Sequence, residues 1–358
     1  MRRSNTLNTA FTMPSFASSV VRLGPVALAI AVSSVLGCSG GDPSASVSPP
    51  PPPPAGSSGS VQTASFASAA LGVTKNYQVY LPPSYASQPT RRYPVVYMLH
   101  GSPGAETDWV NNVSINTVLD SLAHAGLPEV IAVMPDGDSW WYHDWISTPP
   151  ACAGGSYTGA APSEPCVPGL HYQYESYIVN DLVPRIDATY RTEATMAHRA
   201  IGGLSMGGYG AAYLALAHPD VFNVAAVFSG SRLELLAIKD PVTGAMRPAT
   251  SITELQTARA NEWANWAAEY GTSFANWQAH DPSTQAASAA AAGRRVPPFW
   301  LVVGNNDPLH TQDEYFNGVL AQIGATHVFS EPVGDHSNGF WRLHEGDGLA
   351  WVLQHIGS

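Results

Sequence analysis

The sequence predicts an α/β fold: a mostly parallel central sheet, helices on both of its faces, and a helical insertion ahead of one late strand. Three observations carry that prediction. Short apolar runs alternate with helix-period patterns over about 300 residues, enough for one large domain with a substantial core. The runs lack polar alternation, which marks strands buried on both faces, as in a parallel sheet under helices. One run passes through Gly203-Leu204-Ser205-Met206-Gly207 straight into Ala211, Ala212, Leu214, Ala215 and Leu216: a strand, a tight turn and a small-residue helix.

Taken in order, residues 1–37 read as a secretory signal. Arg2, Arg3 and Arg22 precede an apolar stretch from Leu23 to Leu36, and Gly37 supplies the small residue before a cut. The stretch is too short to span a membrane. Met13 is an alternative start that gives a signal of more ordinary length. Val35-Leu36-Gly37-Cys38 has the form of a lipobox, which predicts lipidation of Cys38 and a lipoprotein facing the periplasm or cell exterior. Leu36 departs from the small residue usual there, so plain secretion stays open. Residues 38–60, with prolines from Pro49 to Pro54 between Gly- and Ser-rich flanks, cannot bury a core and read as a tether. The folded domain is expected over 61–358.

The net charge is −11, which argues against nucleic acid and against electrostatic docking to anionic lipid. Membrane contact is expected only through an anchor at Cys38, and nothing in the sequence bears on oligomeric state. With Cys38 lipidated, Cys152 and Cys166 remain, a close pair in an exported chain and so an expected disulfide. A free buried pair is the alternative; two thiols make a poor metal site.

Strands are expected at Tyr77–Leu81, Pro94–Leu99, Val130–Met134, Arg199–Gly202, Val224–Phe228, Phe299–Val303 and His327–Ser330. Helices are expected around Ile115 to Leu122, Tyr177 to Ile186, Met206 to His218, and Thr311 to Ile323. The last opens on a Thr311-x-x-Glu314 capping box and stops at Gly324. Residues 231–296 show no clear strand and carry Trp263, Trp266 and Trp277, so they read as a helical insertion. Its tryptophans either line a cleft or simply pack.

The turn at Ser205 is where chemistry concentrates. Glycines at its flanks allow a bend too tight for side chains and leave the hydroxyl exposed at the start of a helix, where free N–H groups favour an anion. A serine nucleophile needs a base, and the base needs an orienting carboxylate. In this architecture the order is serine, acid, histidine, each in a loop at a strand's carboxyl end. Asp307 follows the strand Phe299–Val303, and His336 follows His327–Ser330, which meets that order. His310, His327, His344 and His355 lie on or beside regular elements. Asp335 adjoins His336 and points elsewhere, while Asp313 and Glu314 are expected to serve a helix start. Backbone N–H groups of Met206 and Ser102, the latter in His100-Gly101-Ser102 after an apolar strand, are the expected oxyanion donors. His100 is expected to be structural.

These segments resemble a known family. Tyr93-Pro-Val-Val-Tyr-Met-Leu-His-Gly, Asp108-Trp109, Met134-Pro-Asp-Gly, Asn180-Asp-Leu-Val-Pro and the Ser205 turn together look like the esterase D-like α/β-hydrolases. That group includes feruloyl and acetylxylan esterases, S-formylglutathione hydrolases and trehalose mycolyltransferases. The resemblance runs from about Val61 to Ile356. It implies the α/β-hydrolase fold, the triad Ser205, Asp307 and His336, and oxyanion donors at Ser102 and Met206. It also accounts for a proline, Pro184, inside a helix. The expected function is therefore a serine esterase acting through an acyl-enzyme, without metal or organic cofactor. Export favours an extracellular feruloyl or acetyl ester of carbohydrate over a cytosolic thioester, and Trp140, Trp141, Tyr142 and Trp145 would stack on a sugar or phenolic ring, or else pack a loop. An acyltransferase to a sugar hydroxyl is the second reading, and a non-catalytic carbohydrate-binding surface protein the third.

Overall fold

The computed structural model describes residues 57–149, 152 and 166–357. The signal segment, Cys38 and the tether up to residue 56 lie outside the described residues.

Eight strands form one sheet in the order β1-β2-β4-β3-β5-β6-β9-β10. They are β1 (Ser60–Ala67), β2 (Thr74–Leu81), β3 (Val95–Leu99), β4 (Ile131–Pro135), β5 (Arg199–Leu204), β6 (Val224–Phe228), β9 (Phe299–Val302) and β10 (His327–Ser330). From β4 to β10 every pairing is parallel; β1 and β2 add an antiparallel end. β1 was not expected. Its burial follows no clean alternation, as suits an edge strand with one partner. The tether's expected end at residue 60 also moves: the Gly59 N–H donates to Asp120 Oδ1 at 2.8 Å and Ser60 already pairs with Leu81.

Two-residue alternation assigns each strand's side chains to two cores. Val95, Tyr97, Leu99, Ile131 and Val133 belong to one, with the helices α3 (Val183–Thr189), α4 (Met206–Ala217) and α9 (His310–Gln322). Val96, Met98, Ala132 and Met134 belong to the other, with α1 (Ile115–His124) and α10 (Asn338–Ile356). Central strands buried on both faces need apolar residues at every position, which is the continuous run seen in the sequence.

Pro184 is absorbed without a break. The chain passes from α2 (Tyr174–Ser176) through a wider turn at Tyr177–Leu182, so Pro184 falls in the first turn of α3, where a missing N–H costs little. α9 starts one residue before the expected capping box, which does not form. Instead the Asp307 carboxylate takes the Leu309 N–H at 2.8 Å and begins the helix from outside. Gly324, at φ 68°, ends it as expected.

The insertion is not purely helical. A short hairpin, β7 (Ala237–Lys239) and β8 (Met246–Pro248), precedes α5 (Ile252–Ala258), α6 (Trp263–Tyr270), α7 (Phe274–His280) and α8 (Pro282–Ala291). These pieces enclose a small core of their own around Leu236, Leu255, Tyr270 and Trp277. Trp277 is fully buried, and Trp263 stacks on it at 5.7 Å, so packing accounts for both. Cys152 and Cys166 form a disulfide.

Candidate active site

Ser205 stands between β5 and α4 with φ 55° and ψ −113°. A non-glycine residue there is strained and persists only where its surroundings hold it. Three backbone bonds do so: its N–H donates to Phe228 O at 2.9 Å, and its carbonyl accepts from the N–H groups of Tyr209 and Ser231 at 3.2 and 3.1 Å. The flanking glycines are required by contact. A Cβ on Gly203 would lie 2.1 Å from Gly207 O, and one on Gly207 would lie 2.1 Å from Leu99 O. Strand, turn and helix are therefore pressed together at van der Waals distance.

His336 reaches this turn from the loop after β10. Its Nε2 lies 2.9 Å from Ser205 Oγ and its Nδ1 2.8 Å from Asp307 Oδ2. Asp307 is only an acceptor when ionised, so Nδ1 carries the proton and the Nε2 lone pair faces the hydroxyl. Burial by itself would raise the Asp307 pKa. Bonds from His336, the Leu309 N–H and Ser229 outweigh it and hold the carboxyl below its ordinary value. Ser229 and Trp341 are partners that sequence reading missed. The indole Nε1–H of Trp341 donates to Ser229 Oγ at 3.1 Å, which leaves the Ser229 proton for Asp307, and the same ring stands edge-on to His336 at 4.9 Å. Ser229 follows β6 and Trp341 opens α10, so only the folded sheet brings them to the acid.

Of the expected oxyanion donors, Met206 adjoins Ser205 in the chain and Ser102 adjoins Gly101, which packs close to it. Met206 is the first residue of α4, so its N–H has no carbonyl one turn back. Ser102 follows Gly101, whose built Cβ would lie 3.4 Å from Ser205 Cβ. His100 is fully buried; its Nδ1–H donates to Gly101 O at 2.7 Å and its Nε2 accepts the Gly137 N–H at 2.9 Å. Burial lowers its pKa, and both nitrogens are spent on shaping this loop.

The aromatic cluster divides. Trp140 and Tyr142 are 1% and 0% exposed, which corrects their expected role as a stacking surface. Trp140 packs edge-on against Trp145 and Tyr172, while the Tyr142 hydroxyl donates to His100 O. Large rings in a loop that crosses the sheet's end gain most by burial. Trp141 is different: it is partly exposed, meets Tyr209 edge-on, and carries the Arg232 guanidinium 3.4 Å above its ring. Arg232 directly follows Ser231, bonds the Tyr270 hydroxyl at 2.9 Å, pairs with buried Glu269, and lies 4.5 Å from the Trp266 ring. No local pattern marks Arg232.

The rival titratable groups are elsewhere. His310 pairs with Glu331, His327 bonds Ala325 O and Asn317, and His355 bonds Trp351 O. Asp335 accepts from the Ser337 hydroxyl. Asp313 departs from its expected role: it is buried with 0% exposure and takes the Gly230 N–H at 3.1 Å.

Comparison with known proteins bears on the family of the chain. A family model described as "Putative esterase" matches residues 68–342. The endo-1,4-beta-xylanase/feruloyl esterase of Xylanibacter ruminicola is 29% identical over 187 residues, covering 51% of this chain and 23% of that protein. The diacylglycerol acyltransferase/mycolyltransferase Ag85A of Mycobacterium gordonae is 29% identical over 216 residues, 60% of this chain and 54% of its own. This chain thus spans between about a quarter and about half of the length of these relatives. Among solved structures, a ferulic acid esterase superposes with a TM-score of 0.59 at 22% identity, covering 84% of this chain and 99% of that one, a likeness of fold.

Proposed function

The chain belongs to the esterase family, and from that premise we propose that it is a serine carboxylic-ester hydrolase working through an acyl-enzyme. One observation carries the reading: an unbroken hydrogen-bond chain from Ser205 Oγ through both nitrogens of His336 to Asp307, set at the carboxyl ends of three strands.

In this reading His336 Nε2 takes the Ser205 proton as Oγ bonds to the ester carbonyl carbon. The carbonyl oxygen becomes an oxyanion against the N–H groups of Met206 and Ser102, and Asp307 stabilises the imidazolium. The carbon–oxygen bond to the alcohol then breaks, and the alcohol leaves with the proton from Nε2. A water gives its proton to the same nitrogen and attacks the acyl carbon, releasing the acid and restoring Ser205.

The proposed substrate is an extracellular ester, a feruloyl or acetyl group on carbohydrate. Its support is the match to a feruloyl esterase-containing enzyme, the export signal read from the sequence, and the partly exposed Trp141 beside the nucleophile's helix. The match to a mycolyltransferase favours a second reading, in which a sugar hydroxyl takes the place of water. Ser205→Ala should abolish hydrolysis of p-nitrophenyl acetate and methyl ferulate while leaving the thermal transition in place; activity surviving in that variant would sink the assignment. Product analysis with a sugar acceptor present separates transfer from hydrolysis.

A further inference from the structure

Behind the acid lies a second buried carboxylate that the proposed chemistry does not use. Asp313 sits in the first turn of α9, six positions after Asp307, and is 0% exposed. Its Oδ1 accepts the Gly230 N–H at 3.1 Å, while Oδ2 has no partner among the described residues. Gly230 is the middle of a three-residue turn in which each neighbour serves the site. On one side Ser229, held at φ 50°, bonds the acid Asp307 and accepts from Trp341. On the other, the Ser231 N–H donates to the carbonyl of Ser205 at 3.1 Å. The next residue is Arg232, at φ 52°. Two strained residues in four need external ties to hold their torsions. The Asp313 bond is the side-chain tie at the turn's centre, and it joins the loop after β6 to the helix that begins at the acid.

We propose that Asp313 is a positioning residue: through the Gly230 N–H it fixes the Ser229–Ser231 turn and thereby the mutual placement of Asp307 and Ser205. This rests on the esterase reading above. Its chemistry suits the task. Burial, with the charge of Asp307 close by, pushes the Asp313 pKa well above the ordinary range, although the Gly230 bond opposes this. Burial thus favours the neutral form, whose carbonyl oxygen still accepts the N–H, and the charge that His336 bonds is the one on Asp307. The group whose charge faces Asp313 is Asp307, and through it His336.

The test compares the full chain with Asp313→Asn, Asp313→Ala and Ser205→Ala, following kcat and KM for p-nitrophenyl acetate across pH, the thermal transition, and the low-field proton resonance of the His336–Asp307 bond. Asp313→Asn keeps the acceptor and the uncharged form that burial favours, so its kcat, pH profile and low-field resonance should match the parent. Asp313→Ala should lose about tenfold or more in kcat with KM little changed, and should shift or lose the resonance. A folded Asp313→Ala protein with parental kcat and resonance would overturn the inference. So would an Asp313→Asn protein with a displaced pH profile or resonance, a result that decides the matter even where the Ala variant does not fold. An inactive parent, or an active Ser205→Ala, fails the esterase reading instead; the resonance still reports on Asp313.

Discussion

Gly207→Ala is a demanding test of how tightly the site is built. The added Cβ would sit 2.1 Å from Leu99 O, 2.6 Å from Leu99 C and 2.7 Å from His100 O. All three are backbone atoms at the end of β3, so no side chain can swing aside. Ordinary contact begins at 3.4 Å, and from 2.1 Å one backbone must therefore retreat by about 1.3 Å. The parts driven apart are the helix start carrying Ser205 and Met206 and the strand end leading to Gly101 and Ser102. Displacing reacting groups by about 1 Å costs on the order of a hundredfold in rate. Forcing a methyl into a filled site typically costs about 1–3 kcal/mol or more, against a helix-propensity gain of about 1 kcal/mol. The assay pairs kcat for p-nitrophenyl acetate with the thermal midpoint. Gly318→Ala in α9 is the control: nothing lies within 4 Å of its Cβ, so it should gain about 0.5–1 kcal/mol and leave kcat alone. If Gly207→Ala is as active and stable as Gly318→Ala, helix and strand are not in contact and the account of the turn is wrong.

Three further outcomes are expected. Glu345 is buried with neither oxygen partnered among the described residues, and burial pushes its pKa up to about 9, though Arg342 opposes this. A raised folded-state value means stability is fully present below the ordinary pKa of 4.5 and is lost as pH climbs towards 9, by up to about 1.4 kcal/mol per pH unit. Glu345→Gln should flatten that slope in denaturant titrations between pH 5 and 9, and an unchanged slope would refute the assignment. The disulfide closes a short loop of sequence separation 14, so Cys152→Ser/Cys166→Ser should lose about 3 kcal/mol, with reductant lowering the parent's thermal midpoint and not the variant's. Trp140→Ala should cost about 3–5 kcal/mol as a core deletion, whereas Trp141→Ala should stay folded and raise KM for methyl ferulate more than for p-nitrophenyl acetate; the reverse pattern would mean the two rings have been misassigned.

What the sequence shows plainly is whatever depends on neighbours in the chain. The seven apolar strands, the glycine-flanked Ser205, and the loop positions of Asp307 and His336 all follow from local pattern plus strand order. The residues it hides are those whose meaning comes from distant partners. Trp140 and Trp141 are adjacent and identical in type, yet one is buried against Tyr172 and the other carries Arg232. Thr311 and Glu314 have the form of a capping box, but Asp307 starts the helix first and Asp313 turns inward to Gly230. Ser229, Trp341 and Arg232 carry no motif at all. β1 went unseen because an edge strand with one partner need not be apolar throughout.

The last helix has a consequence for how activity appears in time. A chain is made from its N-terminus, and the strand, turn and helix around Ser205 are complete by Ala217. His336 comes more than a hundred residues later, and Trp341 in the opening turn of α10 stands edge-on to its ring. α10 in turn packs Leu349, Val352 and Leu353 into the core beneath β5, β6 and β9. A nascent chain therefore holds Ser205 before His336 exists to meet it, and the hydrogen-bond chain is assembled only when the final helix closes over the sheet.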